Sequence, residues 1–257
     1  MPKFDSQRRK IVLAAAWASL ALAAGATRAE GKHRYAAIVF DGFPIFDLRP
    51  VGAKAEALFP GKGAALTAAW RTRQFEYQWL HALSNSYVDF RTATDDALVF
   101  ACRSMDIPLS DADRMTLVSM FDALGVWPDV APAVAAIRRA GLKTAILSNM
   151  TARMLDSGLA EAGLSKAFDA VLSTDSIRSY KPSPASYRMA LDTLRLQRQE
   201  ILFVPFAGWD AAGAKTFGYP TFWVNRLGAP AEEFGNEPDG SGRNLADMLA
   251  FAGIPAN

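Results

Sequence analysis

The sequence predicts an α/β fold, in which a parallel β-sheet carries helices on both faces. An all-helical segment is predicted to be inserted into this domain after the first strand. Two observations lead to this prediction. Short apolar runs of strand length follow residue 35 and alternate with helical segments from residue 127 to the C-terminus. Between the first run and residue 127, apolar residues recur only at helical spacing.

The composition is typical of a globular protein and not of a disordered or fibrous one. Of the 257 residues, 51% are hydrophobic and 21% are charged, so the chain can bury a full-sized core. Cys102 is the only cysteine, which excludes an internal disulfide and a cysteine-based zinc site.

Residues 1–29 differ from the rest of the chain and predict an export signal. Arg8, Arg9 and Lys10 precede an apolar run over residues 11–26, and small residues suited to cleavage follow. The paired arginines are typical of the twin-arginine route, so we expect a periplasmic protein without stable membrane association after processing. A retained anchor is the alternative, although the run is shorter than the roughly 20 residues of a membrane span.

The basic character of the whole chain belongs to this leader. Removal of residues 1–29 takes away five basic residues and one acidic residue, which changes the formal net charge from +2 to −2. The remaining chain therefore gives no reason to expect nucleic acid as a partner.

The first predicted strand covers residues 36–40, an apolar run that stops at Asp41 and is followed by Gly42 and Pro44. A short apolar run bounded by turn residues is typical of a buried parallel strand. Its carboxyl end is where open α/β sheets bind their ligands, so Asp41 is the first candidate for chemistry. The alternative is an Asp that only caps the following turn.

Residues 49–126 are predicted to form a helical domain inserted into the core. Apolar residues at intervals of three, four and seven predict helices over residues 51–59 and 64–83. Two further helices, over residues 95–105 and 111–124, are predicted to follow capping residues around Thr94 and Ser110.

The core domain is predicted to combine residues 35–48 with residues 127–257. Further strands are expected over residues 143–147, 168–173, 201–204 and 221–224, and helices over residues 128–140, 151–162, 184–196 and 245–252, with another ending at Phe217. The polar, Gly-rich residues 232–243 predict a loop.

Polar residues follow several of these strands, namely Asp41, Ser148-Asn149, Lys181 and Asp210. Since parallel strands end at the same edge of a sheet, these distant residues should converge on one crevice. Chance placement of four polar clusters is the alternative.

The same four clusters lie in motifs that resemble a known family. DGFPIFD, SN, the KP of YKPSPASY and GWD resemble, in order, the four motifs of the haloacid dehalogenase superfamily. The resemblance covers residues 35–227. It implies a Rossmann-like core, an inserted helical cap and a nucleophilic aspartate, Asp41.

Two features resemble the type II, L-2-haloacid dehalogenase branch. The segment AWRTRQFEYQWL is similar to the cap helix of these enzymes. Phosphatases of the superfamily carry an acid two positions after the nucleophile, because a leaving alkoxide needs a proton. Phe43 holds that position here and cannot transfer a proton, whereas a departing halide needs none.

The resemblance therefore implies hydrolysis of small (S)-2-haloacids to 2-hydroxy acids through an aspartyl ester. Asp41 attacks the carbon that bears the halogen. Lys181 pairs with the carboxylates of Asp41 and Asp210 and keeps both ionised, and Asp210 activates the water that opens the ester. The partner is a small-molecule substrate, no cofactor or metal is expected, and the family suggests a homodimer through the cap helices.

Seven further residues are implied to bind the substrate: Gly42, Phe43, Arg71, Ser148, Asn149, Tyr187 and Trp209. Ser148 and the backbone N–H groups after Asp41 hold the carboxylate, while Arg71, Asn149 and Trp209 cradle the halide. A guanidinium there stabilises the charge that develops in the transition state. The alternatives are a solvated helix arginine for Arg71 and an ordinary helix aromatic for Tyr187.

Three positions depart from the family pattern. Ile45, Pro205 and Ala207 stand where the family has Thr, Ser and Asn, and the last two of these orient the hydrolytic water. We therefore expect these departures to slow hydrolysis of the ester much more than its formation, unless backbone groups at Phe206 and Gly208 hold the water or the substrate differs from short 2-haloacids.

These departures leave two other functions open. One is a superfamily hydrolase that acts on another electrophile, such as a poor phosphatase with Mg²⁺ held by Asp41 and Asp210, which a chelator would inhibit. The other is a catalytically weak protein that binds a small carboxylate.

Overall fold

The computed structural model describes residues 33–256. The predicted export signal, residues 1–29, lies outside the described residues. Within residues 33–256, every helix is too short or too polar to cross a membrane.

A four-stranded parallel sheet forms the centre of the core domain, in the order β3-β2-β1-β4. Its strands are β1 (Ala37–Phe40), β2 (Lys143–Ser148), β3 (Ala170–Ser173) and β4 (Ile201–Val204). In the register, Ala37 lies opposite both Lys143 and Ile201, so β1 has a neighbour on each side. Every residue of β1 is buried, which explains its continuous apolar sequence.

The two faces of the sheet pack into two separate apolar clusters. Ile38 and Phe40 of β1 belong to one cluster, and Ala37 and Val39 belong to the other. This alternation is the period of two that a strand imposes on its side chains. The helices that supply the clusters are α5 (Val130–Arg139), α6 (Ala152–Glu161) and α9 (Leu245–Phe251) on the first face, and α7 (Pro184–Leu194) and α8 (Gly208–Phe217) on the second.

Between β1 and α5 the described chain is helical. It forms α1 (Arg49–Leu58), α2 (Gly63–Leu83), α3 (Phe90–Ser104), α4 (Asp111–Ser119) and a 3₁₀ turn (Met120–Ala123). Ser110 caps α4 as predicted, since its hydroxyl accepts a hydrogen bond from the Asp113 N–H (3.1 Å).

Helix α3 begins five residues before the predicted start. Asp89 is its N-cap, and the Asp89 carboxylate accepts a hydrogen bond from the Thr92 N–H (2.7 Å). The predicted capping residue, Thr94, lies inside the helix and donates its hydroxyl to the Phe90 carbonyl (2.6 Å). A threonine hydroxyl can either cap a helix or bond to a carbonyl inside it, so the sequence pattern alone did not show which of these Thr94 does.

The last predicted strand pairs differently from the expectation. Strand β5 (Phe222–Val224) forms a two-stranded parallel sheet with β6 (Gly240–Gly242), which lies in the predicted loop. A single parallel bridge between Phe203 and Thr221 joins this pair to β4. The sequence Gly-Ser-Gly has no strand propensity of its own, so the partner strand imposes this conformation.

Candidate active site

A buried ammonium between two buried carboxylates lies at the carboxyl end of the sheet. Asp41 follows β1, Asp210 lies in the first turn of α8, and Lys181 lies in the loop before α7. Lys181 Nζ donates to Asp41 Oδ1 (2.7 Å) and to Asp210 Oδ2 (2.6 Å). The three side chains are at most 9% exposed. The sequence motifs that predicted a shared crevice therefore do meet in one cluster.

The electrostatics of this cluster depend on its burial. Burial raises the pKa of Asp210 to about 6, and the Lys181 ammonium opposes that rise. Burial alone would lower the pKa of Lys181, but the adjacent carboxylates of Asp210 and Asp41 raise it. Lys181 is therefore held as an ammonium, which is the state that a hydrogen-bonded ion pair requires.

Tyr187 holds the second oxygen of Asp210. Its hydroxyl donates to Asp210 Oδ1 (2.6 Å), so both carboxylate oxygens of Asp210 accept a strong hydrogen bond. The Tyr187 ring packs against Phe203 of β4 and is buried. Tyr187 on α7 therefore orients Asp210, and the geometry does not fit the alternative of an ordinary helix aromatic.

One carboxylate oxygen of Asp41 accepts only a long hydrogen bond. Its Oδ1 accepts from Lys181, whereas Oδ2 accepts only a longer bond from the Phe43 N–H (3.3 Å). The backbone at this point is held by the Asp41 N–H, which donates to the Val204 carbonyl (3.0 Å). Oδ2 is therefore the oxygen that the geometry leaves available to react.

Gly42 and Ser148 pack closely beside Asp41. A Cβ atom built on Gly42 would lie 2.6 Å from Ser148 Oγ and 3.3 Å from Met150 Sδ. Only glycine leaves this space free, so the small residue after Asp41 keeps the Ser148 hydroxyl accessible. Ser148 Oγ itself accepts a hydrogen bond from the Met150 N–H (3.2 Å) and retains its own proton for a ligand.

Asn149 links the core network to the cap. Its Oδ1 accepts from the Lys181 N–H (2.9 Å) and from the Thr174 hydroxyl (3.3 Å). Its Nδ2 donates to Gln78 Oε1 on α2 (2.8 Å). Asn149 thus lies in the predicted crevice, and its role at the halide stays a prediction. The residue that it binds on the cap, Gln78, was not predicted.

Arg71 of α2 lies over aromatic rings and within reach of the charge of Asp41. Its guanidinium carbon is 4.8 Å from the ring centre of Phe206 and 6.0 Å from that of Phe75. Burial lowers the pKa of Arg71, and the Asp41 charge opposes this change. An arginine remains charged under such conditions, so it brings a half-buried positive charge to the site. This geometry contradicts the alternative of a solvated helix arginine.

Phe43 and Trp209 complete the aromatic surroundings. Phe43 is buried, and its ring centre lies 6.2 Å from that of Phe206. The Trp209 ring packs edge-to-face on Phe75 and Trp79 of α2, at 5.0 and 5.5 Å. The Trp209 Nε1 is buried without a hydrogen-bond partner in the described structure, so it could donate to a bound anion.

The three departures from the family pattern lie beside the cluster and bring no side-chain donor to it. Ile45 is fully buried, and the carbonyl of Pro205 accepts from the Val224 N–H (3.0 Å). Ala207 is the N-cap of α8 and makes no side-chain capping bond. The carbonyl of Phe206, one of the backbone groups expected to hold the water, already accepts a hydrogen bond from Trp223 Nε1 (2.9 Å). The slower hydrolysis of the ester stays a prediction.

The ammonium of Lys181 contacts both carboxylates of the cluster. Lys181 Nζ lies between Asp41 and Asp210, the two side chains that the phosphatase alternative assigned to Mg²⁺. Across residues 33–256, no group of three or more His, Cys, Asp or Glu side chains is arranged to hold a metal.

Gln78 is the site residue that sequence reasoning missed. It lies seven residues after Arg71 on α2, which is two helical turns, and so it shares the helix face of Arg71. That spacing was a usable signal. However, a glutamine in a charged helix segment is more often exposed, and only the fold shows that Gln78 is fully buried.

Comparisons with known proteins agree with this geometry. The family model of haloacid dehalogenase-like hydrolases matches residues 12–218. The chain is 42% identical over 203 residues to an (S)-2-haloacid dehalogenase of Pseudomonas sp. (strain YL), covering 79% of this chain and 88% of the relative. It is 36% identical to haloacetate dehalogenase H-2 of Moraxella sp. (strain B), covering 79% and 91%.

Solved structures lead to the same assignment. An L-2-haloacid dehalogenase of Xanthobacter autotrophicus with covalently bound chloropropionic acid superposes with a TM-score of 0.76 at 33% identity, covering 84% of this chain and 98% of that one. Another L-2-haloacid dehalogenase superposes with a TM-score of 0.82 at 40% identity, covering 85% and 99%. With its Asp41–Lys181–Asp210 cluster under a helical cap, this chain belongs to the haloacid dehalogenase-like hydrolases.

Proposed function

We propose that this chain hydrolyses small (S)-2-haloacids to 2-hydroxy acids through an ester on Asp41. The observation that carries the proposal is the buried Lys181 ammonium between Asp41 and Asp210, with one oxygen of Asp41 left lightly engaged. The (S)-2-haloacid dehalogenases that resemble this chain over most of its length support the same substrate class.

The first step forms the ester. Asp41 Oδ2 attacks the carbon that bears the halogen, a carbon–oxygen bond forms, and the carbon–halogen bond breaks with both electrons leaving on the halide. Lys181 stays bound to Oδ1 and keeps the carboxylate ionised until it reacts. No proton is transferred in this step, which fits Phe43 at the position where an acid would otherwise stand.

Arg71 stabilises the departing halide. Its charge interacts weakly with a neutral carbon–halogen bond and strongly with a full anion, so the interaction is gained in the transition state. The rings of Phe75 and Phe206 lie near the guanidinium, which is half-buried, and this partial burial strengthens the attraction.

The second step opens the ester. A water attacks the carbonyl carbon of the Asp41 ester, and its proton passes to the Asp210 carboxylate. The bond between the carbonyl carbon and the ester oxygen breaks, and Asp210 returns its proton to that oxygen, so the oxygen that Asp41 contributed leaves with the product as the hydroxyl group. The regenerated carboxyl group of Asp41 releases its remaining proton to solvent. Tyr187 and Lys181 hold Asp210 in position for this proton transfer.

An isotope experiment tests this route. One turnover of the enzyme with 2-chloropropionate in ¹⁸O-labelled water should give unlabelled lactate and place the label on Asp41, because the hydroxyl oxygen comes from the carboxylate. Mass spectrometry of the product and of the peptide that contains Asp41 measures both. Label in the first product would instead show direct attack by water. Activity lost with a chelator would point to the Mg²⁺-dependent phosphatase chemistry.

The pH profile gives a second test. Since Asp210 has a pKa of about 6 and acts as an ionised base, steady-state turnover should be constant above pH 6. Below that value it should fall by about tenfold per pH unit as the carboxylate takes up a proton. Halide release measured on both sides of pH 6 shows this limb. A limb near the ordinary value of 3.8 would contradict the role of Asp210.

The proposal extends to the place and assembly of the enzyme. The basic and apolar residues 1–29 support export to the periplasm, and the family resemblance supports a homodimer through the cap helices. Cell fractionation of the full chain and its molar mass in solution test these two points separately.

A further inference from the structure

The side-chain amide of Gln78 contains a buried hydrogen-bond donor without a partner. Gln78 lies on α2 and is fully buried. Its Oε1 accepts a hydrogen bond from Asn149 Nδ2 (2.8 Å), a contact between residues 71 positions apart. Its Nε2 is buried and bonds to no other atom of the described structure.

The orientation of this amide follows from a chain of hydrogen bonds. The Lys181 backbone N–H can only donate, so the Asn149 atom that it contacts at 2.9 Å must be Oδ1. The other end of the Asn149 amide is therefore Nδ2, a donor, and the Gln78 atom that faces it must be Oε1. Consequently the free end of Gln78 is the donor Nε2, and the assignment does not depend on a choice between two amide flips.

A second glutamine on the same helix shows the usual arrangement. Gln74 is 3% exposed, and its Nε2 donates to the Thr94 hydroxyl inside the cap. Burial of a donor that has lost its water and gained no acceptor is unfavourable, and such groups in folded proteins call for a specific explanation. The contrast indicates that an acceptor absent from the protein itself completes Gln78.

The position of Gln78 indicates what that acceptor is. Helical side chains lean toward the N-terminus, so the Gln78 amide extends toward the turns that carry Phe75 and Arg71. On its other side it touches Asn149, which binds the backbone of Lys181. Gln78 therefore joins the helix face that carries Arg71 to the backbone of Lys181, and the two positive side chains favour an anion nearby.

We propose that Gln78 Nε2 donates a hydrogen bond to the substrate halogen as the carbon–halogen bond breaks, together with Arg71. This inference rests on the function proposed above. The resemblance assigns Ser148 and the backbone after Asp41 to the substrate carboxylate, and it assigns Arg71 and Asn149 to the halide. Gln78 shares the helix face of Arg71 and bonds to Asn149, so its free donor serves the end that becomes an anion and contributes mainly in the transition state.

Two variants of Gln78 test the proposal. Gln78→Met removes the donor at similar volume, and Gln78→Glu keeps an oxygen for Asn149 but places an acceptor where the donor was. For Gln78→Met we expect kcat/KM for 2-chloropropionate to fall by about ten- to a hundredfold with little change in KM. Gln78→Glu should fall further, because its charge repels the departing halide.

The leaving group provides the readout that a structural defect would not change. Chloride is smaller than bromide and accepts a stronger hydrogen bond, so Gln78→Met should lose more activity on 2-chloropropionate than on 2-bromopropionate. The matched control is Gln74→Met, which removes a buried amide from the same helix. It should leave the ratio of the two activities as in the unmodified enzyme.

The outcomes separate this inference from the proposed function. If the unmodified enzyme releases no halide, both the proposed function and the role of Gln78 are wrong. An active enzyme whose Gln78→Met variant loses chloro and bromo activity equally, or loses none, overturns the role of Gln78 alone. An equal rise in KM for both substrates with weaker inhibition by lactate would assign the donor to the carboxylate and also overturn the proposal.

Discussion

Replacement of Asp41 by asparagine is expected to reduce halide release by on the order of 10⁴-fold or more, because an amide is neutral and cannot form the ester. The substitution keeps the shape of the side chain, and its oxygen can still accept from Lys181 or from the Phe43 N–H. Lys181 also keeps its pair with Asp210. We therefore expect loss of chemistry in a folded protein, measured as chloride release from 2-chloropropionate and by circular dichroism.

Asp47→Asn is the matched control for this variant. Asp47 belongs to the same segment and is buried, but it pairs with Arg49, whose side chain is 65% exposed. An ion pair with one solvated partner contributes roughly 0–1 kcal/mol to stability. Among the described residues the Asp47 carboxylate accepts hydrogen bonds only from Arg49, so activity should change only a few-fold. Substantial chloride release by Asp41→Asn, with the amide shown intact by mass spectrometry, would disprove the ester route.

Replacement of Lys181 by methionine should damage both stability and activity. The change leaves the carboxylates of Asp41 and Asp210 buried without the ammonium that lies 2.7 and 2.6 Å from them. Removing one partner of a buried ion pair lowers the free energy of unfolding by about 3–5 kcal/mol. One of the two carboxylates should then take up a proton, which lowers the ionised fraction of Asp41, of Asp210, or of both. Urea unfolding and halide release measure the two effects.

Lys215→Met provides the comparison for the stability effect. Lys215 also pairs with an aspartate, Asp239, but these two side chains are 24% and 32% exposed. A partly solvated pair of this kind contributes about 1 kcal/mol or less, so the variant should stay close to the unmodified protein. Equal losses of unfolding free energy in the two lysine variants would show that burial does not determine how much the ion pairs of Lys181 stabilise the fold.

The sequence by itself determined the four strands of the central sheet and most of the Asp41–Lys181–Asp210 cluster. The apolar run before Asp41 required a buried strand, and segments alternating between strand and helix required parallel pairing. Parallel strands end at one edge of the sheet, so Asp41, Asn149, Lys181 and Asp210 had to be neighbours. This part was predictable because strand direction is a property of the chain order.

The tertiary structure alone decided which groups face this cluster across the crevice. Helical periodicity shows that α2 has a buried face, but it does not show what lies against that face. The bond between Gln78 and Asn149, the position of Arg71 over Phe206, and the pairing of β6 with β5 each join segments that are distant in sequence. They exist because packing the cap and the C-terminal segment on the core brings these segments together, and no local pattern encodes such a contact.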